Sequence, residues 1–187
     1  IKQMPRKSHP MDVARTAVSI MGLEDKEVTD NSPNANLRKA MRIFSKTPTA
    51  LAAFYRSRKG KKIIAPKKKF TFAENFFYMC FGKVPNKEIV KAFDVSLILY
   101  AEHSFNVSTF TARTITSSLS DIHGAITGAI ASLKGPLHGG ANEEVMHMMK
   151  KIKKPENADK WINNALNKKA VVMGCLLYTS PSPRDLD

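Results

Sequence analysis

The sequence predicts an all-α fold. Apolar residues recur at helical spacing through most segments, and those segments open on capping residues or prolines. Several close on glycine, as helices do. Ser8-His9-Pro10 offers a cap and a first-turn proline for the first helix. Val13, Ala17, Ile20 and Met21 share its inner face, and Gly22 ends it. Asn34 or Asn36 caps a second helix carrying Leu37, Ala40, Met41 and Phe44. Thr47-Pro48 opens a third, with Leu51, Phe54 and Tyr55 inward, and Gly60 stops it. Residues 61–69 form an irregular basic connector in which Ile63-Ile64 makes a brief extended contact.

Thr71 opens a helix with Phe72, Phe76, Phe77 and Met79. Pro85-Asn86 starts the next, whose apolar run through Val95, Leu97, Ile98, Leu99 and Tyr100 has more than one apolar side and reads as buried. Residues 106–118 are rich in Thr and Ser, which favours strand by propensity. The 3.6 period of Val107, Phe110, Thr111 and Thr114 makes the segment a helix. Ser120-Asp121 begins a helix to Lys134 with Gly124, Gly128, Ala125, Ala129 and Ser132 as a small-residue face. Each interior glycine disfavours a helix by about 1 kcal/mol relative to Ala, which close helix–helix approach offsets. That approach fits a central helix or a subunit interface. Gly135-Pro136 breaks the chain, a helix follows from about Asn142 to Lys151, and Trp161, Ile162, Ala165 and Leu166 face the core of another. Val171-Val172-Met173 is a short apolar run. Residues 176–187 have no period and two prolines, and read as a non-native or disordered tail.

Composition excludes several classes. Hydrophobic residues make up 43%, ordinary for a folded protein. No apolar run is long enough to span a bilayer, and the first residues lack the order of a secretory signal. The 2 cysteines, Cys80 and Cys175, make neither a disulfide framework nor a metal site. The expected compartment is therefore reducing, cytoplasmic or an organelle matrix. The net charge of +14 attracts polyanions. Lysine dominates over arginine, the residue that reads phosphates and bases with a planar fork. The charge is thus read as a solvated surface, concentrated at residues 56–69, with no nucleic-acid or membrane partner.

The 5 histidines form no zinc pattern, and no metal is expected. His138 stands out in Gly135-Pro136-Leu137-His138-Gly139-Gly140-Ala141-Asn142-Glu143. Glycines permit close approach of backbone or ligand. A helix beginning beside the ring disfavours imidazolium. A neutral imidazole there can donate to a carbonyl oxygen becoming an enolate. The competing reading is a structural turn. His103, in Tyr100-Ala101-Glu102-His103, is second, with a hydrogen-bonded core histidine as its alternative. His9 reads as a helix-start residue; His123 and His147 have no special context.

Residues 97–146 contain Glu102-His103, Asn106-Val107-Ser108-Thr109, Arg113, Leu119-Ser120-Asp121 and Gly135-Pro136-Leu137-His138-Gly139-Gly140-Ala141-Asn142-Glu143, in that order. This order resembles the central active-site block of the citrate synthase family. Ser8-His9-Pro10-Met11-Asp12, Phe72-Ala73-Glu74-Asn75-Phe76 and Phe93-Asp94-Val95-Ser96 are weaker matches. The resemblance implies an all-α protein with a large and a small domain: residues 1–138 as a partial large domain, 139–174 as the start of the small one, and 175–187 as the tail. It implies an acyltransferase joining acetyl-CoA to oxaloacetate, with His138 stabilising the enol and His103 holding the 2-oxo acid. Leu137, Gly139, Val171, Val172, Met173 and Gly174 match backbone that lines the CoA site. No permanent cofactor is implied, and the Gly124–Ser132 face matches a homodimer interface. A 2-methylcitrate synthase using propionyl-CoA is the near alternative, and a non-catalytic basic helical module the remote one.

The departures matter. The family continues past Val-Val-x-Gly with an aromatic, Gly and a second catalytic His, whereas Cys175 follows Gly174 here. That His, the catalytic Asp, the carboxylate-binding arginines and the N-terminal part of the large domain have no counterpart. A missing general base lowers rates by roughly 10²- to 10⁴-fold, so the polypeptide is expected to be an inactive internal piece.

Overall fold

The computed structural model describes residues 1–101, 106–136, 138–170 and 172, and the described elements are helices. They fall into two compact units, Ile1–Ser132 and Leu133–Asp187.

In the first unit α1 (Pro10–Glu24) begins on His9, whose Nδ1 accepts from the Met11 amide at 3.2 Å. It does not stop at Gly22. That glycine is buried inside the helix, and a Cβ on it would stand 3.0 Å from the Cβ of His123. Close approach, and not a helix end, is what the residue supplies. Val13, Ala14, Ala17 and Val18 are buried, while Ile20, expected inside, is exposed.

The two helices expected over 34–60 are one, α2 (Pro33–Arg58), 26 residues capped by Ser32 and containing Pro48. A proline removes one backbone hydrogen bond and usually bends a helix. The hydroxyls on either side of it bond the two carbonyls that flank Phe44: Thr47 Oγ1 donates to Ile43 O at 2.7 Å and Thr49 Oγ1 to Ser45 O at 3.4 Å. The helix buries Ala35, Lys39, Ile43, Ala52, Ala53 and Phe54; Leu37, Met41 and Phe44 lie on the exposed side, contrary to expectation. Lys39 is fully buried because its ammonium replaces water with the carbonyls of Asp30 at 2.6 Å and Val28 at 3.3 Å.

Thr71 and Glu74 form a reciprocal capping box at the start of α3 (Phe72–Phe81), and left-handed Gly82 ends it. Met79 and Cys80 pack on Ala52 of α2, with Tyr55 and Phe76 around them. Asn86 caps α4 (Lys87–Leu99), which meets α3 through Phe93 against Phe76 and Phe77. The apolar run of α4 is not buried: Ile98 and Leu99 are 65% and 73% exposed, and no residue of the helix is fully covered. The periodicity located the helix correctly, but among the described residues nothing covers its outer face. Asn106 caps α5 (Val107–Thr116), so the Thr-rich segment is helical as its period predicts. α6 (Ile122–Leu133) follows Asp121, whose carboxylate accepts from the Gly124 amide at 2.9 Å.

In the second unit α7 (Gly140–Ile152) is followed by a 3-10 turn at Pro155–Asn157 and α8 (Ala158–Asn167). Of the four residues expected to face the core of α8, only Ala165 is buried; Leu166 is exposed. The expected tail lies outside the described residues.

Candidate functional site

Two histidine settings result, one at each end of α6. Past its C-terminal end comes a hydrogen-bonded turn. The His138 amide donates to Gly135 O at 3.0 Å, Gly139 to Leu133 O at 2.9 Å, and Gly140 to Gly135 O at 3.2 Å. These bonds satisfy carbonyls that a helix end otherwise leaves unpaired. Gly139 has an ordinary φ of −69°. What requires glycine is the carbonyl of Leu133, which would lie 2.4 Å from an added Cβ. His138 sits directly before Gly139, the N-cap of α7, and is half-buried. The turn therefore places His138 one residue before a helix whose cap uses no side chain.

Of the other sequence-predicted site residues, His103, Leu137, Val171, Met173 and Gly174 lie outside the described residues. Val172 is half-buried in irregular backbone. Gly139 donates its amide to Leu133 O and stands as the N-cap of α7, where a carbonyl accepts the first bond of the helix.

Near the other end of α6 lies a cluster that sequence reasoning missed. His123 is 2% exposed. Its Nε2 is 3.5 Å from Asp25 Oδ2, and its Nδ1 is 3.7 Å from Asp121 Oδ1 with no hydrogen-bond partner among the described residues. Asp25 is engaged from the other side by Arg42, through Nε at 2.9 Å and NH2 at 2.8 Å. The same guanidinium reaches Glu27 at 2.8 Å, and Glu27 also pairs with Arg38. The Arg42 hydrogen bond holds the Asp25 carboxyl below its ordinary value, against burial. Burial pushes the His123 imidazole down, and the nearby carboxylates of Asp25 and Asp121 only partly restore it. A cavity of about 440 Å³ beside the cluster is lined by Met21, Asp25, Glu27, Arg42, Lys46 and His123, among others. Its charges are largely cancelled within the cluster, which makes it a structural clasp. The only signal in the sequence was Gly22, read as a helix stop.

Among the described residues no group of His, Cys, Asp and Glu could hold a metal ion. Cys80 is buried, and burial raises its thiol, so it is poorly suited to be a nucleophile. No described helix is long and apolar enough to cross a membrane.

A family model described as the citrate synthase C-terminal domain matches residues 1–185. A citrate synthase of Mycolicibacterium smegmatis is 49% identical over 174 residues, covering 93% of this chain and 46% of that protein. A 2-methylcitrate synthase of Mycobacterium tuberculosis H37Rv is 51% identical over 174 residues, covering 93% and 44%. Among solved structures, the citrate synthase of Thermoplasma acidophilum, in a ternary complex with carboxymethyl coenzyme A and oxaloacetate, matches with a TM-score of 0.78 at 32% identity. That match covers 92% of this chain and 45% of that one. The citrate synthase of Thermotoga maritima matches at 0.75 and 36%, covering 92% and 44%. The chain spans less than half the length of these relatives.

Proposed function

The chain belongs to the citrate synthase family, and from that premise we propose that it carries the enol-stabilising part of a condensation between an acyl-CoA and a 2-oxo acid. The observation that carries this reading is His138, half-buried in a hydrogen-bonded glycine turn one residue before the N-cap of α7.

The reaction needs a proton removed from the carbon next to the thioester carbonyl. The electron pair then moves toward the carbonyl oxygen. A neutral His138 donating a hydrogen bond to that oxygen lowers the energy of the developing enol. The enol carbon attacks the ketone carbon of oxaloacetate, and water releases CoA from the resulting thioester. His103 holds the 2-oxo acid. Leu137, Gly139 and residues 171–174 supply backbone along the CoA. No resident cofactor is needed, because CoA enters and leaves as part of a substrate. The proton-removing Asp and the second His have no assigned counterpart in this chain, so residues beyond it complete the site.

Acetyl-CoA is the proposed acyl donor. The relatives include both citrate and 2-methylcitrate synthases, which keeps propionyl-CoA as the specific alternative. The whole protein is proposed to be a cytoplasmic homodimer of the tricarboxylic acid cycle. Residues 1–138 would belong to its large domain and 139–174 to its small one, with 175–187 outside the fold.

The test is thiol release from acetyl-CoA or propionyl-CoA with oxaloacetate, on the 187-residue chain and on a protein extended to the length of its relatives. The extended protein is expected to turn over and the short chain is not. Turnover by the short chain, or none by the extended one, would overturn the reading.

A further inference from the structure

Residues 56–69 contain 8 lysines and arginines and no carboxylate. Among the described residues none of these cations forms an ion pair. The segment is also held in place. The Arg56 guanidinium donates to Lys62 O and, at 3.1 Å, to Cys80 O. At the other end the Asn75 carboxamide accepts from the Lys67 amide at 2.8 Å and donates to Lys67 O and Phe70 O, each at 3.0 Å. Between these pins the backbone has neither helix nor strand.

Successive side chains of an extended chain point to opposite sides. Ile64 turns inward, its Cδ1 lying 3.6 Å from where a Cβ on Gly82 would be. Ile63 turns outward and is 43% exposed. Exposed Lys61 and Lys62 precede it, and exposed Lys67, Lys68 and Lys69 follow. The segment is a fixed cationic loop with an aliphatic side chain at its middle.

The chemistry selects among polyanions. Single-stranded nucleic acids stack bases on aromatic faces. Here cations lie over the neighbouring rings: Lys59 over Tyr55 at 4.5 Å, Lys67 over Tyr78 at 4.6 Å, Lys69 over Phe70 at 5.2 Å and Arg58 over Phe54 at 5.4 Å. Lysine gives point charge without the fork that reads phosphate pairs. An exposed isoleucine flanked by lysines suits a surface with anionic headgroups above acyl chains.

We propose that residues 56–69 form a peripheral docking loop for an anionic phospholipid bilayer. The loop lies on the surface and needs no spanning helix. The proposal is independent of the condensation chemistry.

The test is flotation of the full chain with phosphatidylcholine vesicles, with and without about 30% phosphatidylglycerol. Binding is expected only to the anionic vesicles at about 0.1 M salt, with release at about 0.5 M. Lys61→Glu/Lys62→Glu and Lys67→Glu/Lys68→Glu should each lower partitioning by at least about 25-fold, at roughly five-fold per charge. Ile63→Ser should lower it several-fold and leave the salt dependence unchanged. Lys150→Glu/Lys151→Glu on α7 changes net charge equally and should have little effect. All these positions are exposed, and circular dichroism checks each variant's fold. Equal loss in the α7 variant would reduce the effect to net charge and overturn the proposal. So would binding to a homopolymeric RNA at the same salt without binding to vesicles.

Discussion

His123 and His138 lie near the two ends of α6 and have opposite histories. His138 sits in a segment whose composition announces it: three glycines and a proline around one imidazole. It ends up half-buried in a short turn made by its own neighbours. His123 looks ordinary in its helix, yet it is almost fully buried between carboxylates from the residue just before that helix and from the residue just after α1. Local sequence exposes the residue proposed to act chemically. It conceals one whose role is to join distant elements.

The sharpest way to break this contrast is to remove each ring and read both activity and stability. In a protein of the relatives' length, His138→Ala should lower kcat by about 10²- to 10⁴-fold with little change in unfolding midpoint. His123→Ala should destabilise the fold by about 2–4 kcal/mol, as large buried truncations do, measured by urea unfolding. A large stability loss at His138 or none at His123 would reverse the assignment.

Acid should separate the two settings next. Burial holds the folded proton affinity of His123 below the ordinary 6.5. Below that pH the unfolded chain binds a proton that the folded chain resists. The stabilisation is complete above about pH 6.5 and declines as pH falls toward the lower folded value. Asp25, held below 3.8 by Arg42, adds a second decline in stronger acid, as pH falls through its folded value. His123→Phe should remove the first decline and keep the second, seen in urea midpoints between about pH 7 and 3.

Glycine substitutions give smaller effects and rank the two approaches. Gly139→Ala meets a backbone carbonyl and should destabilise its turn by about 1–3 kcal/mol. Gly22→Ala meets the His123 Cβ at 3.0 Å. Its better helix propensity offsets part of the strain, leaving about 1 kcal/mol of destabilisation. Gly128→Ala meets only Ile115 Cδ1, the end of a side chain that can rotate. It should fall within about 0.5 kcal/mol of the parent in thermal unfolding.

Much of the fold was legible because helix starts are local. Thr71, Asn86 and Asn106 cap through their own side chains, within three residues of themselves; the cap of α2 is Ser32, just before the expected Asn34 or Asn36. Burial was less legible. The apolar run of α4 located a helix but not its cover, because burial depends on what packs against a face. Leu37, Met41 and Phe44 follow a helical period yet lie outside, while Lys39 is buried on the other side of α2 by the carbonyls it holds. At the site, the glycine turn around His138 was readable, and the Asp25–Arg42–His123 clasp was not, since its members come from three separate segments.

Pro48 has a further consequence. Without an amide hydrogen at that position, the long rod of α2 lacks one rung between Phe44 and Pro48. Fraying that starts at either end meets a natural stopping point there, so the two halves are set to exchange their amide hydrogens with solvent as separate blocks. The half carrying Lys39 and Arg42 follows the ionic clasp, and the half carrying Ala52 and Phe54 follows the aromatic packing on α3. One imino acid thus lets a single helix report on two neighbourhoods at two different rates.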